Sequence, residues 1–141
     1  MIFFGSYLTQ AGKTTLVKLV TRLYDPTEGE ILLNGTDIRR FALQDYRNLL
    51  AAVFQDINLF AMTFQENITC EEDGADGERL LAAIEEAGLS AFYEQHGKNP
   101  DLPLTKYLYH DGVDVSGGEK QKIGIARALY KNGKILIFDE P

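Results

Sequence analysis

The fold is decided by the stretch Val115-Ser116-Gly117-Gly118-Glu119, which leads into an apolar helical pattern ending at Leu129. Ser116 followed three residues later by Glu119 predicts a capping box, in which each side chain bonds the other residue's backbone N–H. The backbone N–H groups of Gly117 and Gly118 are then left at the positive end of the helix dipole. This helix start is therefore expected to bind an anion.

A short strand follows the helix and ends in two carboxylates, within Ile135-Leu136-Ile137-Phe138-Asp139-Glu140-Pro141. Four apolar residues in a row predict a buried parallel strand. Because ligands of open α/β sheets bind at the carboxyl ends of such strands, Asp139 and Glu140 are expected to face a ligand site.

These motifs resemble the signature motif, usually Leu-Ser-Gly-Gly-Gln, and the Walker B strand of ABC-transporter ATPases. The chain has Val115 in place of the leucine and Glu119 in place of the glutamine. Upstream, Gly12-Lys13-Thr14-Thr15-Leu16 resembles the end of a Walker A loop, and Val53-Phe54-Gln55-Asp56 resembles the family's Q-loop. The motifs stand in the family's order.

The resemblance implies an α/β fold: a P-loop NTPase core with a mostly parallel sheet and a small helical subdomain, incomplete at both ends. The predicted segments are 1–64 for the N-terminal part of the ATP-binding core with Walker A and the Q-loop, 65–115 for the helical subdomain, and 116–141 for the signature helix and Walker B strand. Family members usually carry further strands before Walker A and a switch histidine after the catalytic glutamate. The chain is therefore expected to be a fragment.

The resemblance also implies ATP and Mg²⁺ as cofactors and assigns residues to them. The ATP-binding residues would be Gly12, Lys13, Thr14, Thr15, Ser116, Gly117 and Gly118. The Mg²⁺ ligands would be Thr14, Gln55 and Asp139. The catalytic residues would be Glu140, which orients and deprotonates the attacking water, and Gln55, which helps to position that water.

The first half of the phosphate loop departs from the family pattern, since Tyr7 and Gln10 stand where glycines are expected. A side chain at such positions strains the backbone or blocks the phosphate. Either Gly5 is the first glycine of a longer loop, or residues 1–10 are not the native sequence upstream of Ala11. The chain as given is expected to show little ATPase turnover.

Two partners follow from the resemblance. In the family, Ser116 and Gly118 would contact a nucleotide held by a second ATP-binding domain, which implies a head-to-tail dimer. The segment 58–64, with Phe60, Met62 and Phe64, would contact a transmembrane transporter domain through its coupling helices. From the residues alone, the same segment could simply be local core packing.

Composition bounds the other function classes. The 141 residues suit one domain, and 14 basic against 21 acidic residues give a net charge of −7, which argues against nucleic-acid binding. The single Cys70 excludes an internal disulfide.

The expected location is the cytoplasmic face of the cell membrane. The chain would be peripheral there, without a membrane-spanning segment. Competing hypotheses are a catalytically impaired remnant and a non-transport ABC ATPase, although no room exists between Gln55 and Ser116 for the latter's long coiled coil.

Hydrophobic periodicity and turn residues predict the secondary structure. The predicted strands are 2–4, 30–33, a partner through Asp37-Ile38 after an Asn34-Gly35 turn, and 51–54. The first predicted helix begins just after Lys13 and turns Leu16, Leu19, Val20 and Leu23 to the core. Further helices are predicted at 43–50, at 78–87, in a segment capped by Ser90, and from Ser116 to about Tyr130. The strands before Gln55 and Asp139 are expected in one parallel sheet flanking strand 2–4, with Lys13, Gln55, Asp139 and Glu140 converging at one edge. Ser116 is expected to face solvent, away from Lys13.

Overall fold

A computed structural model describes residues 10–54, 56–71, 75–105 and 111–139. The helices are α1 (Gln10–Val20), α2 (Leu43–Asn48), α3 (Phe64–Thr69), α4 (Gly77–Glu86), α5 (Ser90–Gln95) and α6 (Gly117–Lys131), and the strands are β1 (Leu32–Leu33), β2 (Thr36–Asp37), β3 (Leu50–Val53) and β4 (Ile135–Phe138). They form two compact units: a first unit with the described residues up to Phe54 and from Gly133, and a second unit between them. The predicted strand 2–4 lies outside the described residues.

The first unit contains a parallel pair of strands from distant parts of the chain. Strands β3 and β4 pair in the register Leu50↔Ile135 to Val53↔Phe138. The N–H of Asp139 extends the ladder by donating to the Val53 carbonyl at 2.9 Å. The predicted parallel sheet is confirmed. The expected place of strand 2–4 beside these strands stays a prediction, because residues 2–4 lie outside the described residues.

The first unit also contains a hairpin. Strands β1 and β2 are antiparallel, with Leu33 opposite Thr36. The turn residues Asn34 and Gly35 have φ angles of 51° and 79°, the left-handed values that a two-residue hairpin turn requires. The predicted Asn-Gly hairpin is confirmed, and a short 3₁₀ helix, Ile38–Arg40, follows it.

Arg22 anchors the end of α1 to the segment after the hairpin. Its guanidinium donates to the carbonyls of Ile38 and Phe41, each at 3.0 Å. The Tyr46 hydroxyl, from α2, donates to the Val20 carbonyl at 2.7 Å. Because α1 ends at Val20, Leu23 no longer follows the helical period and is 50% exposed, which corrects its predicted place in the core.

The second unit is helical. Its core is formed by buried side chains of α3, α4, α5 and α6 with the loop before α6, including Phe64, Ile68, Leu80, Ile84, Leu89, Leu104 and Ile123. Helix α6 packs against α3 and α4. Helix α6 belongs to the helical unit, whereas β4 belongs to the first unit. The bounds of the predicted segments stay a prediction.

The start of α5 differs from the prediction. Ser90 is the first helical residue, and Leu89 takes the capping position without a side-chain hydrogen bond. Leu89 is 1% exposed, and its backbone is already helical at φ −96° and ψ 0°. Because the core holds Leu89 in this conformation, no extended residue is left at which a serine hydroxyl could cap the helix.

Gly133 permits the approach of the chain to β3, and its replacement by alanine should destabilise the protein. An added Cβ would lie 2.6 Å from the backbone N of Ala51, which cannot move without breaking the strand pair. We expect Gly133→Ala to lower the free energy of unfolding by about 1–3 kcal/mol in denaturant titrations.

The matched control is Gly77→Ala at the start of α4, where an added Cβ meets no atom within 4 Å. Alanine there should be neutral or stabilising by up to about 1 kcal/mol. Equal unfolding curves for the two variants would contradict the close packing at Gly133.

Candidate functional site

Asp139 lies where the carboxyl ends of two parallel strands meet. It follows β4 directly and is 5% exposed. Within the described ranges, no hydrogen bond or ion pair reaches its carboxylate. A carboxylate is the kind of ligand that Mg²⁺ prefers. Asp139 therefore fits the predicted metal ligand.

Gln55 and Glu140, the other predicted side chains at this edge, lie outside the described residues. Because β3 and β4 pair directly, their carboxyl ends, at Val53 and Phe138, lie side by side. The convergence of Lys13, Gln55, Asp139 and Glu140 stays a prediction.

Helix α1 begins earlier than predicted. It starts at Gln10 and includes Ala11 and Gly12, whereas the sequence predicted a start just after Lys13. In a helix each N–H donates to the carbonyl four residues earlier, so the N–H groups of Thr14 and Thr15 donate to the carbonyls of Gln10 and Ala11. The physical cause is the absence of the loop glycine: glutamine and alanine favour the helix where glycine would allow a loop.

The helical start changes what the Walker A residues can do. A phosphate loop works through backbone N–H groups that converge on a phosphate, and part of that set is committed within α1. Lys13 and Thr14 are half-buried and Thr15 is exposed. The described backbone at Gln10–Gly12 is helical, whereas the resemblance predicts an open loop before Lys13.

The predicted capping box at the start of α6 is confirmed. Ser116 is the N-cap with extended backbone, and its hydroxyl accepts the Glu119 N–H at 3.3 Å. The Glu119 carboxylate in turn accepts the Ser116 N–H at 2.8 Å and the Ser116 hydroxyl at 2.7 Å. Gly117 and Gly118 are exposed, with no atom within 4 Å of where a Cβ would stand. We call Ser116, Gly117 and Gly118 the Ser116 turn.

The environment of Glu119 favours its ionised form. The hydrogen bonds from the Ser116 hydroxyl and backbone N–H hold the pKa of the Glu119 carboxyl below its usual value, and the charges of His96 and Lys122 act in the same direction. A negative charge at a helix start also interacts favourably with the helix dipole. The predicted solvent exposure of the turn is confirmed, whereas its position relative to Lys13 involves the other unit and stays a prediction.

The loop before α3 presents two apolar side chains. Phe60 is 49% and Met62 is 42% exposed. They line a cavity of about 270 Å³ together with Glu66, Cys70 and Glu71. Phe64 differs from this group, because it is 0% exposed and packs in the core beside Phe92 and Tyr93.

Two residues that sequence analysis missed shape this loop. Asn67 is 0% exposed, and its side chain bonds the backbone of Phe60, Met62 and Thr63. Arg127, on α6, donates to the Asn67 carbonyl at 2.8 Å and lies over the Phe60 ring at 5.2 Å. Thr63 with Glu66 forms a second capping box, a Thr-x-x-Glu pattern that could have located α3 from the sequence.

Two negative observations apply to the described ranges. Residues 12–54, 56–71, 75–105 and 111–139 contain no group of three or more His, Cys, Asp or Glu side chains that could hold a metal ion. Among the helices described, none has the length and apolar character needed to cross a membrane.

The capping box should make stability depend on pH through Glu119. Because folding lowers the pKa of its carboxyl, the stabilisation is complete above the unfolded pKa of 4.5 and is lost as the pH falls through the lower folded pKa. Glutamine can form the same box without titrating. The parent chain should therefore lose stability relative to Glu119→Gln as the pH falls below 4.5, as measured by urea unfolding across that pH range.

The control for this measurement is Glu86→Gln, which removes an exposed carboxylate at the end of α4, outside any capping box. Its difference from the parent should vary less with pH. The same pH profile for both variants would show that the capping hydrogen bonds do not set the behaviour of Glu119.

Comparison with known proteins agrees with this arrangement. The sequence profile of the ABC transporter family matches residues 9–141. The beta-(1→2)glucan export ATP-binding/permease protein NdvA of Bartonella bacilliformis is 42% identical over 132 residues, which are 94% of this chain and 22% of that protein. The ATP-dependent lipid A-core flippase of Cupriavidus metallidurans is 43% identical over 131 residues, 92% of this chain and 22% of the flippase.

A solved structure shares the fold. The structure of a bacterial Atm1-family ABC exporter with ATP bound superposes with a TM-score of 0.81 at 39% identity, covering 92% of this chain and 22% of that one. The chain thus spans about a fifth of the length of these relatives. With the parallel β3–β4 pair ending at Asp139 and the capped Ser-Gly-Gly helix start both in place, the chain belongs to the ABC transporter family and matches its ATP-binding part.

Proposed function

We propose that the protein binds and hydrolyses ATP to power substrate export as part of an ABC transporter. The observation that carries this proposal is the buried Asp139 carboxylate at the joint end of β3 and β4. The names of the relatives support export as the process, since they include a glucan export protein and a lipid flippase.

Each side chain has a proposed role. Asp139 and Thr14 hold Mg²⁺ together with Gln55, and Lys13 contacts the phosphates of ATP with Gly12, Thr14 and Thr15. Bound Mg²⁺ neutralises charge on the phosphates during transfer. Glu140 accepts a proton from the attacking water, and Gln55 helps to orient that water.

The proposed partners follow from two surfaces of the second unit. The Ser116 turn is exposed, which suits contact with the nucleotide of a second ATP-binding domain in a head-to-tail dimer. The exposed Phe60 and Met62 side chains suit the coupling helices of a transmembrane domain. The working location is then the cytoplasmic face of the cell membrane.

A second candidate is a catalytically impaired member of the same family. The observation in its favour is the helical backbone at Gln10–Gly12, which commits N–H groups that a phosphate loop leaves open. Under this hypothesis the chain retains the fold and the partner surfaces but binds ATP weakly.

ATP binding separates the two candidates. If the first holds, calorimetric titration with magnesium-ATP should give at least about tenfold weaker binding for Lys13→Ala than for the parent chain, because the ammonium group is lost from the phosphates. Lys18→Ala, in the last turn of the same helix, is the control that removes one lysine elsewhere. Equal binding by the parent chain and Lys13→Ala would rule out ATP use at this position.

Turnover is a separate prediction. Under the second candidate, the helical backbone at Gln10–Gly12 leaves the phosphate cradle incomplete, and phosphate release by the purified chain should be far slower than the roughly 1 per second of an ordinary enzyme. The double variant Tyr7→Gly with Gln10→Gly should bind ATP more tightly, since glycine releases the helical start. Release near 1 per second, abolished by Glu140→Gln, would contradict the impairment.

A further inference from the structure

Phe60 is half exposed, yet two residues hold it in one position. It is 49% exposed, so core packing alone does not fix its ring. Its backbone N–H donates to the Asn67 side-chain oxygen at 2.9 Å, and its carbonyl accepts the Asn67 side-chain amide at 3.1 Å. The Arg127 guanidinium lies over the ring at 5.2 Å, within the range of a cation–π contact. The residue is thus held both at its backbone and at the face of its ring.

Arg127 also supports Asn67. The Asn67 carbonyl lies in the last turn of α3, where the helix itself has no N–H left to pair with it. The Glu71 N–H, which would be that donor in a longer helix, donates instead to the Thr69 hydroxyl at 3.2 Å. Arg127 Nε donates to the Asn67 carbonyl at 2.8 Å, and such a charge-assisted bond is about twice as strong as a neutral one. One guanidinium therefore supports both contacts that fix Phe60.

We propose that Arg127 is the positioning residue of the Phe60 ring, and that it gives the surface at Phe60 and Met62 its shape before a partner arrives. The inference rests on the proposed function, which assigns this surface to a transmembrane domain, and it adds the residue that holds the surface in shape. A side chain that is already ordered loses less conformational freedom on binding. The ring is also one wall of the cavity of about 270 Å³, so its position sets the form of that cavity.

The arrangement needs a guanidinium. This group is planar, so it can lie against an aromatic ring while its Nε donates to a carbonyl. A terminal nitrogen of Arg127 also lies 3.5 Å from the carbonyl of Asn58, two residues before Phe60. The lysine ammonium is a compact charge that does not combine stacking with this fixed set of donors. Arg127→Lys therefore keeps the charge and removes the geometry.

The test is amide hydrogen exchange of the whole chain, followed by NMR at Phe60 and Met62, whose N–H groups donate to the Asn67 side chain and to the Phe60 carbonyl. We expect Arg127→Lys to speed exchange at both amides about tenfold, as the loss of a charge-assisted hydrogen bond predicts. Phe60→Leu, which leaves Arg127 intact, should remove the ring-current shift from the Arg127 Nε–H signal. Exchange at the parent rate in Arg127→Lys, or an Arg127 signal that stays in place in Phe60→Leu, would overturn the proposal.

Arg79→Lys is the matched control. Arg79, on α4 of the same unit, also donates to a backbone carbonyl, that of Tyr130, and its guanidinium lies over the Tyr130 ring at 4.6 Å. The same substitution there should leave exchange at Phe60 and Met62 within about twofold of the parent. Equal acceleration by both variants would show that the loop follows overall stability, and the proposal would fall. Neither measurement uses ATP or a partner, so failure here is distinct from failure of the proposed function, which magnesium-ATP binding tests.

Discussion

The parallel pairing of β3 with β4 is the interaction on which the candidate site depends. It joins Leu50–Val53 to Ile135–Phe138, and the residues of the second unit lie between these two strands in the sequence. The pairing fixes where each strand ends, and therefore where Asp139 stands. Such pairing needs a close approach of backbones, and Gly133 provides it at the point where the chain leaves Asn132, the left-handed cap of α6, and enters β4. A helix end, a glycine and a strand thus act in sequence to position one carboxylate.

The elements that the sequence predicted well are those whose signals are local. The capping box of Ser116 and Glu119, the Asn34-Gly35 turn and the apolar run of β4 each depend on residues a few positions apart, and the structure has all three, although the β4 residues are half-buried where the sequence predicted a buried strand. Side-chain hydrogen bonds within one helical turn and left-handed φ values at Asn-Gly need no distant partner. Such features can therefore be inferred from a single chain.

The predictions that failed depend on contacts that local patterns do not contain. Leu89 displaces Ser90 from the cap of α5 because the core of the second unit holds it. Phe64 follows Phe60 and Met62 in the same apolar segment, and the sequence left open which of the three is buried; in the structure Phe64 is, and Asn67 bonds the backbone of the loop before it. The register of β3 with β4 could not be predicted either, because their hydrogen bonds link residues far apart in sequence.

The start of α1 shows how local preference and function oppose each other in this chain. A phosphate loop is a conformation with little intrinsic stability, because its N–H groups point at a ligand instead of at carbonyls, and glycines make it accessible. With Gln10 in place of one of those glycines, the helix extends upstream and pairs the same N–H groups internally. Any phosphate that binds there must first unwind that turn, so its apparent affinity is reduced by the cost of opening the helix. At the start of α6, by contrast, Gly117 and Gly118 are exposed, and the Ser116 hydroxyl and N–H donate to the Glu119 carboxylate.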